Sequence, residues 1–229
     1  LGRGRRLIVG ATEHDAIRAA APGAAILRVG RDGVADLGAL RDLLEGPPAL
    51  VCLMAANNET GVLQPVAEAA ALCRARGARL HVDAVQAAGR IALDFAGLGA
   101  DSLALSSHKL GGPAGAGALL LAPAAPDLTP LIAGGGQERG RRGGTPPLPA
   151  IAGFAAAAAE AGGADQLAPL RDAIERAAVA AGAVVIGAAA PRLPNTTCLA
   201  LPGVRAETQV IALDLAGIAV SAGAACSSG

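Results

Sequence analysis

A chain of 229 residues that is 52% hydrophobic and 17% charged carries enough apolar side chain for a sizeable core and one or two domains. Its 19 Lys plus Arg balance 19 Asp plus Glu, so there is no basic surplus for nucleic acid and no acidic tail, and the longest apolar runs are broken by Gly, Pro or charge, which excludes an uninterrupted membrane span. The basic start, Leu1 to Arg6, has too short an apolar segment behind it for a signal peptide, and the four cysteines (Cys52, Cys73, Cys198 and Cys226) have no CxxC spacing, which argues against a disulfide framework or zinc site and for a reducing cytoplasm.

Short β-favouring runs alternate with Ala-rich helical runs. Leu7–Val9 is expected as a strand, Asp15–Ala21 as a helix, Ala25–Val29 as a strand and Asp36–Leu44 as a helix. Leu50–Ala55 is then a strand, Val66–Arg76 a helix, and Arg79–Val82, Ser102–Leu105 and Gly117–Leu121 further strands. This alternation predicts an α/β domain with a mainly parallel sheet. From about Pro147 the pattern changes. Helices are expected over Pro149–Ala161, Asp165–Ala181 and Ala206–Ala216, with strands at Val184–Ile186, Thr196–Leu201 and Ile218–Val220. The boundary is placed near Gly163, giving a large domain over 1–163 and a smaller α+β domain over 164–229. The stretch Gly134–Gly144, with Arg139, Arg141 and Arg142, reads as a loop. With two Phe, no Trp and no Tyr, the core must be built from Ala, Leu, Val and Ile. A histidine would then have to stack on any flat cofactor.

In open α/β sheets, ligands bind beyond the carboxyl ends of the strands. Four polar clusters fall there: His14, Asn57-Asn58-Glu59-Thr60-Gly61, Asp83 with Gln86, and Ser106-Ser107-His108-Lys109. Lys109 is the chain's only lysine, and its amine can condense with an aldehyde cofactor. Ser106 and His108 can donate to a phosphate beside it. Asp83 can keep a pyridine nitrogen protonated, or can equally be a helix N-cap. Gln86 can donate to the same ring's phenolic oxygen. His14 can stack on the ring or shuttle protons, against a plainer reading in which Thr12 and Asp15 form a capping box. Asn58 can bond a cofactor or simply belong to a turn. Cys226 sits among small residues, Ser221 to Gly229, where a thiol can travel, whereas Cys52, Cys73 and Cys198 read as structural.

Together these segments resemble the cysteine desulfurases of the NifS/IscS type, within the class V aminotransferase family of pyridoxal-phosphate (PLP) enzymes of fold type I. Thr12-Glu13-His14 resembles the segment whose histidine stacks on PLP. Asn57 to Gly61 is similar to the asparagine motif, with Asn58 near the cofactor. His81 to Gln86 is similar to the segment supplying the pyridinium carboxylate, and Ser106 to Lys109 to that carrying the cofactor lysine. Gly134–Gly140 with Gly143-Gly144-Thr145 resembles a loop that brings a threonine to the partner's PLP phosphate. Ser221 to Gly229 resembles the persulfide loop. The resemblance implies a homodimer that releases L-alanine from L-cysteine and passes sulfur from Cys226 to an acceptor such as an iron–sulfur scaffold. It leaves open another class V PLP enzyme, an aminotransferase or selenocysteine lyase, and an inactive fragment that only dimerises or binds a partner. The family's Asn-Ala-Ala-Thr-Thr-like segment, Gly-Thr phosphate cup and substrate-carboxylate arginine have no counterpart here, and Thr145 is followed by Pro146-Pro147 where Glu-Asn is usual. The chain is therefore expected to be a piece of a longer protein, cut at both ends.

Overall fold

The computed structural model describes residues 4–124 and 128–223. Six strands form one sheet: β1 (Arg6–Gly10), β2 (Ala25–Leu27), β3 (Ala49–Met54), β4 (Arg79–Asp83), β5 (Ser102–Ser106) and β6 (Gly117–Leu121), in the order β2-β1-β3-β4-β5-β6. The first five are parallel and β6 runs antiparallel to β5. This is the expected α/β architecture, with a mixed sheet flanked by helices. Because β1, β3, β4 and β5 are adjacent and parallel, their carboxyl ends share one rim.

The sheet's two faces differ. Ile8, Leu27, Val51, Leu53, Leu80, Val82 and Leu103 point to the principal core. There they meet α2 (Leu37–Leu43) and α3 (Val66–Ala75), through Leu40, Ala69, Ala70 and Cys73 among others. The scarcity of large aromatics is met by alanines on α3 that let the helix lie close to the strands. Burying each of the larger aliphatic side chains contributes roughly 1.5–3 kcal/mol. The opposite face holds a smaller cluster of Val9, Leu50 and Cys52 under Leu7, Ile17, Ala21 and Ala24. Its β4 and β5 portion is polar, with His81, Asp83, Ser102 and Ser106, because residues in register across a sheet, and those two apart along a strand, share a face.

Several elements depart from expectation. α1 (Asp15–Arg18) is one turn rather than a helix to Ala21, since Pro22-Gly23 turns the chain into β2. Asp36 is the cap of α2 rather than its first residue, accepting from the Ala39 amide at 2.9 Å. A short helix, α4 (Phe95–Leu98), was not expected; Asp94 caps it and Gly99 ends it in the left-handed region. In the second half, α5 (Leu148–Ala159) and α6 (Ala168–Ala180) fall where helices are expected, the latter preceded by a tight turn over Ala164–Leu167. A two-residue hairpin pairs β7 (Val184–Val185) with β8 (Leu199–Ala200), shorter than either expected strand. α7 (Ala206–Leu215) follows. Ile218–Val220 is irregular rather than a strand; both Ile218 and Val220 are exposed, so no partner rewards pairing. No helix among the described residues is long and apolar enough to cross a membrane.

Residues 191–193 return from the second half to the large sheet. Leu63 donates to the Pro191 carbonyl at 2.9 Å, Leu193 donates to the Gly61 carbonyl at 2.8 Å, and Leu193 is 1% exposed within the principal core.

Candidate active site

Each strand that reaches the rim delivers a polar group there for a local reason. Asp83 is the last residue of β4. Its carbonyl accepts from Ala55 at 2.8 Å and its Oδ1 accepts from the Val85 amide at 2.9 Å. The carboxylate thus caps the turn at 85–90 rather than a helix, and the helix-cap alternative does not apply. Gln86 lies in that turn, with its carbonyl taken by Arg90 Nη1 at 2.8 Å. One strand over, Asp83 is in register with Ala104, so Ser106 stands two residues further along β5 on the same face. Ser106 Oγ and His108 Nδ1 are 2.8 Å apart. Ser107, His108 and Lys109 form a single tight turn, closed by hydrogen bonds from the Leu110 and Gly112 amides to the Ser107 carbonyl. Ser107 itself is fully buried, and a side chain at Gly112 would run into its hydroxyl. The absence of a Cβ at Gly112 therefore sets how closely this turn folds beneath Lys109.

On the other side of the rim, His14 is itself the cap of α1. Its Nδ1 accepts from the Ala16 amide at 3.1 Å, in place of the capping box that Thr12 and Asp15 offer as the plainer reading. That bond assigns the acceptor role to Nδ1. Asn57 and Asn58 divide their work. Asn57 is buried, and its Oδ1 accepts from the Glu59 and Thr60 amides at 3.0 and 2.9 Å and from Thr60 Oγ1 at 3.0 Å, while its Nδ2 donates to the Thr12 carbonyl at 3.2 Å. Asn57 is thus the clasp between the two loops, and Asn58 lies with His14, Asp15, Arg18 and Glu59 in a cleft of about 330 Å³.

The structure gathers His14 and Asn58 on one stretch of the rim and Asp83, Ser106, His108 and Lys109 on the next. Thr145 is exposed on the loop ahead of α5. Cys226 lies outside the described residues. Cys52 and Cys73 are buried, and burial pushes each thiol up to about 12, with Glu13 adding to the effect at Cys52 and Asp101 at Cys73, so neither is a nucleophile near neutrality. Cys198 stands just before β8 instead of within a strand, and burial raises it too.

Two groups at the site were not singled out by sequence. His81 Nδ1 lies 2.8 Å from the fully buried Ser102 Oγ, and burial holds the imidazole below its ordinary value, toward the neutral form. Glu13 is buried at 4% exposure and accepts the Met54 amide proton on Oε1. Burial drives its carboxyl up to about 8, partly offset by the Met54 bond and reinforced by the charge of Asp83. A Glu beside a helix start ordinarily reads as a solvated first-turn acid, so only the folded rim reveals it.

The pattern of the class-V aminotransferases matches residues 1–228. The chain belongs to that family. Among class-V relatives, the cysteine desulfurase of Cereibacter sphaeroides is 44% identical over 98% of this chain and 61% of its own length, and that of Klebsiella pneumoniae is 39% identical over 98% of this chain and 60% of its own. The X-ray structure of a NifS-like protein from Rickettsia africae superposes with a TM-score of 0.90 at 34% identity, covering 96% of this chain and 64% of that one. SspA, solved in complex with cysteine, superposes with a TM-score of 0.80 at 26% identity, covering 97% of this chain and 65% of its own. This class-V chain therefore spans about three fifths of the length of the relatives it matches. The family brings with it PLP chemistry and the fold-type I sheet described above.

Proposed function

We propose that the protein to which this chain belongs is a cysteine desulfurase, taking sulfur from L-cysteine, releasing L-alanine and retaining the sulfur as a persulfide on Cys226. The observation that carries the reading is the placement of Asp83, Ser106 and Lys109 at the ends of two adjacent parallel strands, with the first two on one face. Desulfurase relatives at 39–44% identity support the reaction, and SspA, solved with cysteine, supports the substrate.

The donor set suits PLP, which needs an amine for its aldehyde, an acid for its ring nitrogen and donors for its phosphate. Lys109 Nζ would hold the aldehyde carbon. Asp83, steadied at Oδ1 by the Val85 amide, would keep the proton on the ring nitrogen. Gln86 would donate to the phenolic oxygen, Ser106 and His108 to the phosphate, and Asn58 and His14 would close the near side, with His14 over the ring. When bound, PLP supplies an electron sink for the pair left at the substrate α-carbon. Lys109 would also be the base that takes the substrate α-proton. The Cys226 thiolate would attack the substrate sulfur: the S–S bond forms as the C–S bond breaks, the electron pair of that bond goes to the β-carbon, and alanine is complete once the β-carbon takes a proton and Lys109 returns one to the α-carbon. Thr145, exposed on its loop, suits a contact with the other protomer's phosphate in a homodimer. On this reading, residues 164–229 are the smaller domain that carries the persulfide cysteine, and an iron–sulfur scaffold is the fitting acceptor class.

The test is an assay of alanine and sulfane sulfur from L-cysteine with the whole protein loaded with PLP. Lys109→Ala is expected to lose the visible band that borohydride fixes on the protein. Cys226→Ala is expected to keep that band and form no persulfide. Unchanged sulfur release from Cys226→Ala would remove its role, and a PLP-loaded protein that yields no alanine from cysteine would end the desulfurase reading.

A further inference from the structure

Glu13 is a buried acid that the reaction scheme above does not use. It sits where β1 leaves the sheet. The last β1–β3 pair in register is Val9 with Cys52, and two residues further the Met54 amide finds Glu13 Oε1 instead of a β1 carbonyl. The Glu13 amide in turn donates to the Gly10 carbonyl at 3.1 Å, and a Cβ at Gly10 would lie 3.1 Å from Oε1 and 3.3 Å from Cγ, so the glycine leaves the carboxyl its space. The other oxygen, Oε2, is buried with no hydrogen-bond partner. An ionised carboxylate with one oxygen bare in an apolar setting is expensive, whereas a protonated one loses far less.

We propose that Glu13 is a positioning residue of the site, carried in the folded protein as the neutral acid, which fastens the end of β1 to the end of β3 and leaves the negative charge of that stretch of rim on Asp83. The titratable and charged groups around it are His14, the cap of α1, with Asp15 and Arg18 of α1 and Glu59 in the same cleft, Cys52 of β3, and Asp83 of β4, with His81 in register beside Cys52. Of these, Asp83 is the one whose charge opposes ionisation of Glu13. His81 is also held toward its neutral form by burial. Burial thus disfavours charge on both of these titratable neighbours of Asp83. The consequence for catalysis rests on the role proposed for Asp83; the protonation state of Glu13 does not.

The sign of the pH effect follows from proton counting. The folded protein keeps the Glu13 proton to about pH 8, while the unfolded chain releases it near the ordinary 4.5. Between these values the folded state binds the extra proton, so the stabilisation is complete below the unfolded value and is lost as pH rises toward 8. Glu13→Gln keeps the Oε1 acceptor and cannot ionise. It is expected to fold and to lose this part of the decline, so its melting temperature gains on that of the unsubstituted protein from about pH 5 to about pH 8. Its desulfurase activity should also persist further into alkali. Glu13→Ala strands the Met54 amide and should be less stable at every pH. The deciding measurement is the carboxyl titration of Glu13 in the whole, unsubstituted protein, by carbon-13 NMR or by the infrared carbonyl band that Glu13→Gln removes. Titration in the ordinary carboxylate range, a Glu13→Gln stability curve parallel to the parent's, or failure of that variant to fold would each overturn the proposal. Failure of PLP to bind would instead sink the functional reading and leave this result standing.

Discussion

At the scale of single residues, the site pairs groups whose sequence context says nothing of their partners. Glu175 on α6 is an example outside the rim. Arg192 meets it at 2.5 and 2.9 Å, and Thr197 Oγ1 donates to it at 2.6 Å. The Arg192 bond, more than any other cause, holds the Glu175 carboxyl below its ordinary value. The folded state therefore gives up that proton before the unfolded chain does. The stabilisation is complete above the unfolded value and is lost as pH falls through the folded one. Glu175→Gln is expected to cost about 1.5–3 kcal/mol near neutrality, the range for a hydrogen bond to a charged group. The penalty should fade in acid, as read by urea unfolding at several pH values; a penalty constant with pH would mean that charge is not the cause. His14 and Asp83 teach the complementary lesson. Both were legible as candidates because polar residues beyond apolar strands are rarely idle. Their hydrogen-bond partners, Ala16 and Val85, could not be read, because turn geometry depends on where the chain goes next.

At the scale of elements, the longer strands and helices were legible and the shortest elements were not. Apolar runs of Val, Leu and Ile bounded by Gly, Pro and Asp mark β1, β3, β4 and β5, and all four lie within a residue or two of expectation. α1 fell short and α4 was missed because each is a single turn held by its caps, with too few residues to show a helical period. Packing between elements also decides how the Lys109 turn is held. Gly89 has φ +73°, and a Cβ there would lie 2.5 Å from Leu110 Cδ2 and 3.2 Å from Ala161 Cβ. Gly89→Ala would incur about 1–2 kcal/mol for the left-handed backbone and would press Leu110, the residue next to Lys109. Thermal unfolding should show the loss, and PLP uptake should weaken with it. Uptake unaffected in a destabilised variant would show that Leu110 yields without moving the lysine.

At the scale of the whole molecule, the segment 191–193 joins the second half of the chain to the principal core and to the Asn57–Gly61 loop of the site. Leu193→Ala empties a fully enclosed position and is expected to cost about 2–5 kcal/mol. In chemical denaturation that loss should appear in the transition of the large sheet. A loss confined to a separate transition of residues 164–223 would contradict the packing seen here. The sequence by itself determined the α/β class, the strands, the polar clusters at their ends and the family resemblance, since these depend on local residue type and spacing. Only the tertiary structure decided that Asp83 and Ser106 share a face, that His14 rather than Thr12 caps α1, that Glu13 is buried against β3, and that Leu193 returns to the core. Apart from the local His14 cap, whose form depends on how the chain turns after β1, these are contacts between residues far apart in the chain, set by strand register and by burial, and neither is encoded in any short stretch of sequence.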